Sequence, residues 1–145
     1  MKWYTRSAIV VLIVSIAVVV NANTVGSPIT ALAQFRKKHI TNKDLPELIK
    51  ILAEKEKVDY DKLIKLATCE STMRHYVKDN EVLRGYVNKN DGGVFQINKP
   101  TWQKTADKLN LNLDDPVDNC LMAIWIIKND SRSWNNWVCY KNIKH

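Results

Sequence analysis

The chain has 145 residues, 46% of them hydrophobic and 26% charged, with only four glycines and four prolines. That profile excludes a collagen-like, low-complexity or disordered chain, and the length supports one core, since two halves would each bury too little surface. Lys and Arg number 22 against 15 Asp and Glu, a formal charge of +7, which favours an acidic partner such as nucleic acid, anionic lipid or a bacterial wall polymer.

Residues 1–22 read as an export signal. Lys2 and Arg6 supply positive charge, Ser7 to Val20 is an uncharged apolar run, and Val20-Asn21-Ala22 offers a small-residue cleavage site after Ala22. The run falls short of the about 20 residues a membrane span needs. Cleavage is therefore expected, with an uncleaved anchor over residues 7–20 as the alternative. Either way the folded part lies outside the cytoplasm, periplasmic or extracellular. Nucleic acid then drops from the list of partners, and membrane contact is confined to the N-terminus. Without Lys2 and Arg6 the mature chain keeps 20 basic and 15 acidic residues, a charge of +5.

Residues 23–43 are polar and mixed and read as a tether. The folded domain is expected over 44–145. From Asp44 to about Lys57, Leu45, Leu48, Ile49 and Leu52 recur at helical spacing. A second helix starts near Asp59, a plausible N-cap, and carries Leu63, Leu66, Ala67 and Met73 on one stripe. Residues 77–98 lose this period. Val82-Leu83 and Tyr86-Val87 on one side, and Val94 to Ile97 on the other, predict short strands around an Asn88–Gly93 turn. Pro100 opens a third helix with Trp102, Ala106 and Leu109 on one face. Asp115-Pro116 opens a fourth, with Val117, Cys120, Leu121, Ile124 and Ile127 toward the core. Trp134, Trp137 and Cys139 crowd the tail. The class is α+β, a mainly helical domain with one small β-hairpin.

Three cysteines in an oxidising compartment imply one bond and one spare thiol. Cys69, Cys120 and Cys139 form no CxxC pair, and His39, His75 and His145 are scattered, so no metal site is expected.

Glu70 is out of place for a surface residue. It lies three residues after Ala67, four after Leu66 and seven after Leu63, offsets that set it on the apolar face of a helix. Burial disfavours the charged carboxylate. A carboxyl still protonated near neutral pH suits a general acid that protonates a leaving-group oxygen. The plainer reading is a carboxylate that bends out to solvent or caps a neighbouring backbone.

Cys69-Glu70-Ser71 followed by Gly93-Val94-Phe95-Gln96-Ile97-Asn98 resembles the Glu-Ser and Gly-x-x-Gln-Ile signatures of the soluble lytic transglycosylase family, within the lysozyme-like superfamily. Asp118-Asn119-Cys120 and Trp134-x-x-Trp137 followed by Cys139 are similar to that superfamily too, so the likeness spans about residues 44–140. It implies a lysozyme-like fold with the hairpin beside the catalytic cleft. It also implies cleavage of the β-1,4 bond between N-acetylmuramic acid and N-acetylglucosamine in peptidoglycan glycan strands, by a single copy of the chain and without metal or organic cofactor. Glu70 would be the catalytic acid and then the base, with Ser71 beside it. Gln96 and Asn98 would meet the sugar, or else hold the hairpin. Trp134 would pack against the acid and floor a sugar subsite, while Trp137 reads as a core residue. The family's cleft Tyr, from an Ala-x-x-Tyr motif, is missing, because Ala123 is followed by Ile124, Trp125 and Ile126. Tyr76, Tyr86 and Tyr140 are candidates for its place.

The resemblance also implies a Cys69–Cys139 bond, with Cys120–Cys139 as the alternative. A transglycosylase uses the muramic C6 hydroxyl as nucleophile and leaves 1,6-anhydro ends, whereas a muramidase hydrolyses the same bond and needs a second carboxylate. Asp91, two residues before Gly93, is the candidate for that role; Asp-Gly is also ordinary turn chemistry. A wall-binding adaptor that had lost the chemistry is the alternative of another class. A basic membrane-active protein is disfavoured, since the charges are spread along the chain and make no amphipathic basic helix.

Overall fold

The computed structural model describes residues 28–78 and 80–143; the signal segment 1–22 lies outside them. In chain order the described elements are α1 (Pro28–Lys37), a 3-10 turn (Asn42–Asp44), α2 (Leu45–Glu56), α3 (Tyr60–Ser71), β1 (Tyr76–Lys78), β2 (Glu81–Val82), β3 (Asp91–Gly92), β4 (Ile97–Asn98), α4 (Lys99–Lys108), α5 (Pro116–Asn129), a second 3-10 turn (Ser133–Asn136) and α6 (Tyr140–Ile143). The class is α+β, as the periodicity predicts.

Helices α3, α4 and α5 each start on a side-chain oxygen that satisfies their first free amides. Asp59 accepts from the Lys62 amide at 3.0 Å, Asn98 from the Thr101 amide at 3.1 Å, and Asp115 from the Val117 and Asp118 amides at 2.9 and 3.0 Å. α5 is the central element. Val117, Asn119, Cys120, Met122, Ala123, Ile124, Ile126 and Ile127 are all buried, so the helix is covered nearly all round rather than along the stripe its spacing predicts. α2 packs on it through Leu45, Leu48, Ile49, Leu52 and Ala53.

The tether expected over 23–43 is not borne out for residues 28–37. They form α1, which packs on α2, and Leu32 and Phe35 are buried in the core. The mean polarity of the segment hides this, because two apolar side chains three residues apart suffice to dock a short helix. Arg36 then reaches Asp118 near the start of α5 at 2.9 Å.

The expected single hairpin is instead two short ladders in series. β1 pairs with β2, and β3 pairs with β4, both antiparallel. An Arg84–Gly92 bridge joins the two ladders. Residues 86–90 close the first loop, with Gly85 N–H donating to Asp91 O at 2.9 Å and Asp91 N–H to Asn88 O at 3.1 Å. Residues 93–96 make a second and tighter turn: Gly93 has φ +73° and Gln96 φ +47°, and the Gln96 amide donates to Gly93 O at 3.2 Å. Val94 and Phe95, expected in a strand, lie in this turn and are fully buried.

Polar side chains from either flank hold the turn. His75 is buried; its Nδ1 accepts the Val94 N–H at 3.3 Å, so Nε2 carries the proton donated to Asp114 O at 2.9 Å. Burial pushes its pKa below the ordinary histidine value, consistent with a neutral ring. Asn119 accepts the Phe95 N–H at 3.1 Å and donates to Gly92 O and Leu113 O, each at 3.0 Å. A Cβ on Gly93 would lie 2.6 Å from both the Asn119 amide nitrogen and His75 Cε1. Gly93→Ala therefore combines a strained positive φ with a steric clash, and should cost about 2–4 kcal/mol in urea unfolding. An unchanged midpoint would show that the turn can give way.

Candidate active site

Glu70 is the last but one residue of α3. The helix ends immediately after it in two successive left-handed residues, Thr72 (φ +52°) and Met73 (φ +56°). Conformations of this kind cost β-carbon residues about 1–3 kcal/mol each and persist only where surrounding contacts impose them. Here Thr72 N–H caps Thr68 O at 2.9 Å and Met73 N–H reaches Ala67 O at 3.3 Å. Ser71 contributes as well. Its hydroxyl donates to Ala67 O at 2.9 Å and accepts the Arg74 N–H at 3.1 Å, so the side chain expected to touch sugar or acid is engaged with backbone and fixes the exit of the chain from α3.

The Cys69–Cys139 disulfide is formed, with Cα atoms 5.9 Å apart, and Cys120 is left as a buried thiol whose pKa burial raises. The bond joins the residue beside Glu70 to Cys139, whose backbone amide acts on the Glu70 carboxyl. Burial raises the Glu70 pKa from its usual value, the Cys139 amide opposes that shift, and the negative charge of Asp91 adds to it. The net direction is upward, toward the protonated acid.

Two pockets meet at Glu70 and Gln96. The first, about 180 Å³, also takes in Asp91, Asn98, Trp102, Asn136 and Trp137. The second, about 220 Å³, extends past Ser71 to Arg74, Arg84 and Tyr86. Together they make a groove with the carboxyl at its middle, which can hold a chain-like ligand across the acid.

Asp91 Oδ1 accepts from the Asn98 amide at 2.7 Å and the Asn88 amide at 3.2 Å. Asn98 Oδ1 in turn caps α4. Gln96 donates to Gly93 O at 2.8 Å while its side chain lines both pockets. Both amides thus hold the hairpin and line the groove, the two readings weighed for them. Trp134 does not line either pocket. It stacks on Tyr140, ring centroids 5.5 Å apart, and Trp137 takes the expected place in the groove beside Glu70. Trp137 is also a core residue, donating its indole N–H to Phe95 O at 2.8 Å. Trp134 lies within the second 3-10 turn, whereas Trp137 follows it, two residues before Cys139, whose disulfide ties that end of the chain to the residue beside Glu70. Of the three tyrosines, only Tyr86 lines either pocket, and it lines the second. Trp102, Asn136, Arg74 and Arg84 were missed, because nothing in their local pattern marks them. Among the described residues no group of three or more His, Cys, Asp or Glu side chains is placed to hold a metal ion.

The disulfide closes a separation of 70 residues, which by the chain-entropy argument contributes about 4 kcal/mol. Cys139→Ser, or reduction of the native protein, should lower the unfolding free energy by about that much. A loss below about 1 kcal/mol in matched denaturation curves would show that the remaining contacts hold the tail on α3 unaided.

No curated protein and no solved structure matches the chain. A family model, the Transglycosylase SLT domain, matches residues 47–141. That span takes in α2 through the start of α6 and every residue of the groove, and on it the chain belongs to the Transglycosylase SLT domain family.

Proposed function

We propose that the protein is a peptidoglycan lytic transglycosylase acting outside the cytoplasm, with Glu70 as general acid and then general base. The observation that carries the reading is a half-buried carboxyl of raised pKa in the middle of a two-sided groove. Glu70 protonates the bridging oxygen of a MurNAc–GlcNAc bond, and the bond from that oxygen to the muramic C1 breaks. The C6 hydroxyl of the same muramic residue attacks C1 while the Glu70 carboxylate takes its proton. A 1,6-anhydro end forms, the acid is regenerated, and no water is consumed. Gln96 and Asn98 present amides to the sugar, and Trp137 both desolvates Glu70 and floors the groove. Ser71 positions the end of α3. The disulfide accords with an oxidising compartment, and the +5 charge of the mature chain draws it to an anionic wall, a salt-sensitive effect.

Hydrolysis of the same bond is the second reading, favoured by one observation: Asp91 lines the same half of the groove as Glu70 and acts on it through its charge. Mass spectrometry of products from purified peptidoglycan separates the two. Products ending in 1,6-anhydromuramic acid are expected; reducing muramic ends, one water heavier, would replace the transglycosylase with a muramidase. Glu70→Gln should cut turnover by about a hundredfold to ten-thousandfold and leave wall binding intact. Binding with no cleavage by the native protein would favour an adaptor.

The rate should also report the state of Glu70. Only the protonated carboxyl can act as acid, so kcat/KM should hold at low pH and fall about tenfold per pH unit above the raised pKa. Asp91→Asn keeps an oxygen for the Asn98 amide and removes the charge that raises the Glu70 pKa. It should shift that falling limb to lower pH, and a limb that stays in place would dissociate Asp91 from the acid.

A further inference from the structure

The two halves of the groove differ in charge. The half toward the tail carries Asp91 among amides. The other half carries Arg74 and Arg84, and Glu70 is the single acid lining it. Arg84 is held at 2.9 Å by Asp114, which Lys99 also contacts, at 2.5 Å, so this cluster has one carboxylate for two cations. Arg74 has no carboxylate partner among the described residues. Its Nε is anchored on Ser71 O at 3.3 Å and Thr72 Oγ1 at 3.1 Å. The backbone is fixed by the Ser71 hydroxyl at 3.1 Å. Four residues past Glu70 in sequence, Arg74 lines the same pocket because the left-handed pair Thr72–Met73 folds the chain back. A guanidinium held by Nε still has its two terminal nitrogens, a fork that matches a carboxylate.

Resting on the glycan-cleaving reading above, we infer that Arg74 binds a carboxylate carried by a muramic acid residue of the strand and thereby sets which bond meets Glu70. In an alternating glycan only the muramic residue bears an acid, its lactyl group when bare and the attached peptide when substituted. Arg74 attracts that acid into its half of the groove and Asp91 repels it from the other. Seating one muramic residue there fixes the register of the whole strand, so that one of the two kinds of β-1,4 bond lies at the acid. Tyr86, almost fully exposed at the rim of the same pocket, offers a ring face to the sugar so held.

The test measures binding on a Glu70→Gln background, which prevents turnover, with three probes: peptide-free glycan oligomers, the same oligomers with lactyl acids converted to methylamides, and peptide-bearing chains. The acid form should bind about five- to tenfold more tightly than the amide form. Adding Arg74→Gln should erase that gap, and Arg74→Lys, which keeps the charge without the fork, should restore part of it; melting midpoints check that each variant folds. Preference for peptide-bearing over amidated chains, also erased by Arg74→Gln, would assign the carboxylate to the peptide and support the same contact. Equal affinity for all three probes, or a preference that survives Arg74→Gln, would overturn the role of Arg74 and leave the glycan reading standing. No binding to any probe would overturn the glycan reading itself.

Discussion

The groove depends on one buried amide. Asn119 is fully enclosed in α5 and uses both ends of its side chain on the 92–95 turn and its surroundings, taking the Phe95 N–H and giving to Gly92 O and Leu113 O. A tight turn that sends Val94 and Phe95 into the core leaves backbone groups which water cannot reach, and each must find a partner or cost about 1–3 kcal/mol. Asn119 meets two of them, as well as Leu113 O outside the turn, and His75 a third, the Val94 amide. Both side chains crowd the place where a β-carbon on residue 93 would be, and the positive φ at this position favours glycine as well. No buried side-chain nitrogen or oxygen is left without a partner among the described residues.

From that anchor the two walls follow. Gln96 and Asn98 emerge from the turn into the groove, and Asn98 continues as the cap of α4, so the wall and the helix behind it share a residue. On the opposite wall Glu70 stands one residue before the end of α3, where two left-handed residues stop the helix and cap its last carbonyls. The disulfide ties Cys139 to the residue beside Glu70, and the Cys139 amide favours the charged form of the carboxyl. A single N–H without burial would favour the carboxylate. Burial and the charge of Asp91 outweigh it, so the carboxyl is still inclined to keep its proton.

The helices α2 to α5 were legible because apolar spacing and capping residues agree, as at Asp59 with Leu63 and Leu66, and at Asp115-Pro116 with the run that follows. Glu70 was legible for the opposite reason, as a carboxylate that breaks such a pattern. α1 was not, since Leu32 and Phe35 are too few to register against the polar residues around them. The second turn was missed because Asn88–Gly93 carries the stronger local signal, while the forces that place Gly93 come from His75 and Asn119, 18 and 26 residues away in sequence. Trp134 and Trp137 are indistinguishable by composition. What distinguishes them is that Trp134 lies in the 3-10 turn while Trp137 leaves it next to the disulfide, and both features depend on the assembled fold.

The same distinction explains why the charged half of the groove escapes a motif-based reading. Arg74 follows Glu70 by four residues, the spacing of same-face neighbours on a continued helix, but α3 does not continue that far. The helix stops at Ser71, and the two left-handed residues turn the chain so that position 74 faces the groove that position 70 lines. Strain at the end of α3 therefore serves two residues at once: it presents Glu70 to the middle of the groove and brings a guanidinium to its basic half. A glycine at 72 or 73 would adopt the same φ without strain. It would also make the unfolded chain more flexible, and at position 72 it would delete the Oγ1 that anchors the Arg74 Nε. Thr72 thus couples the backbone conformation that shapes the site to the side chain that charges it.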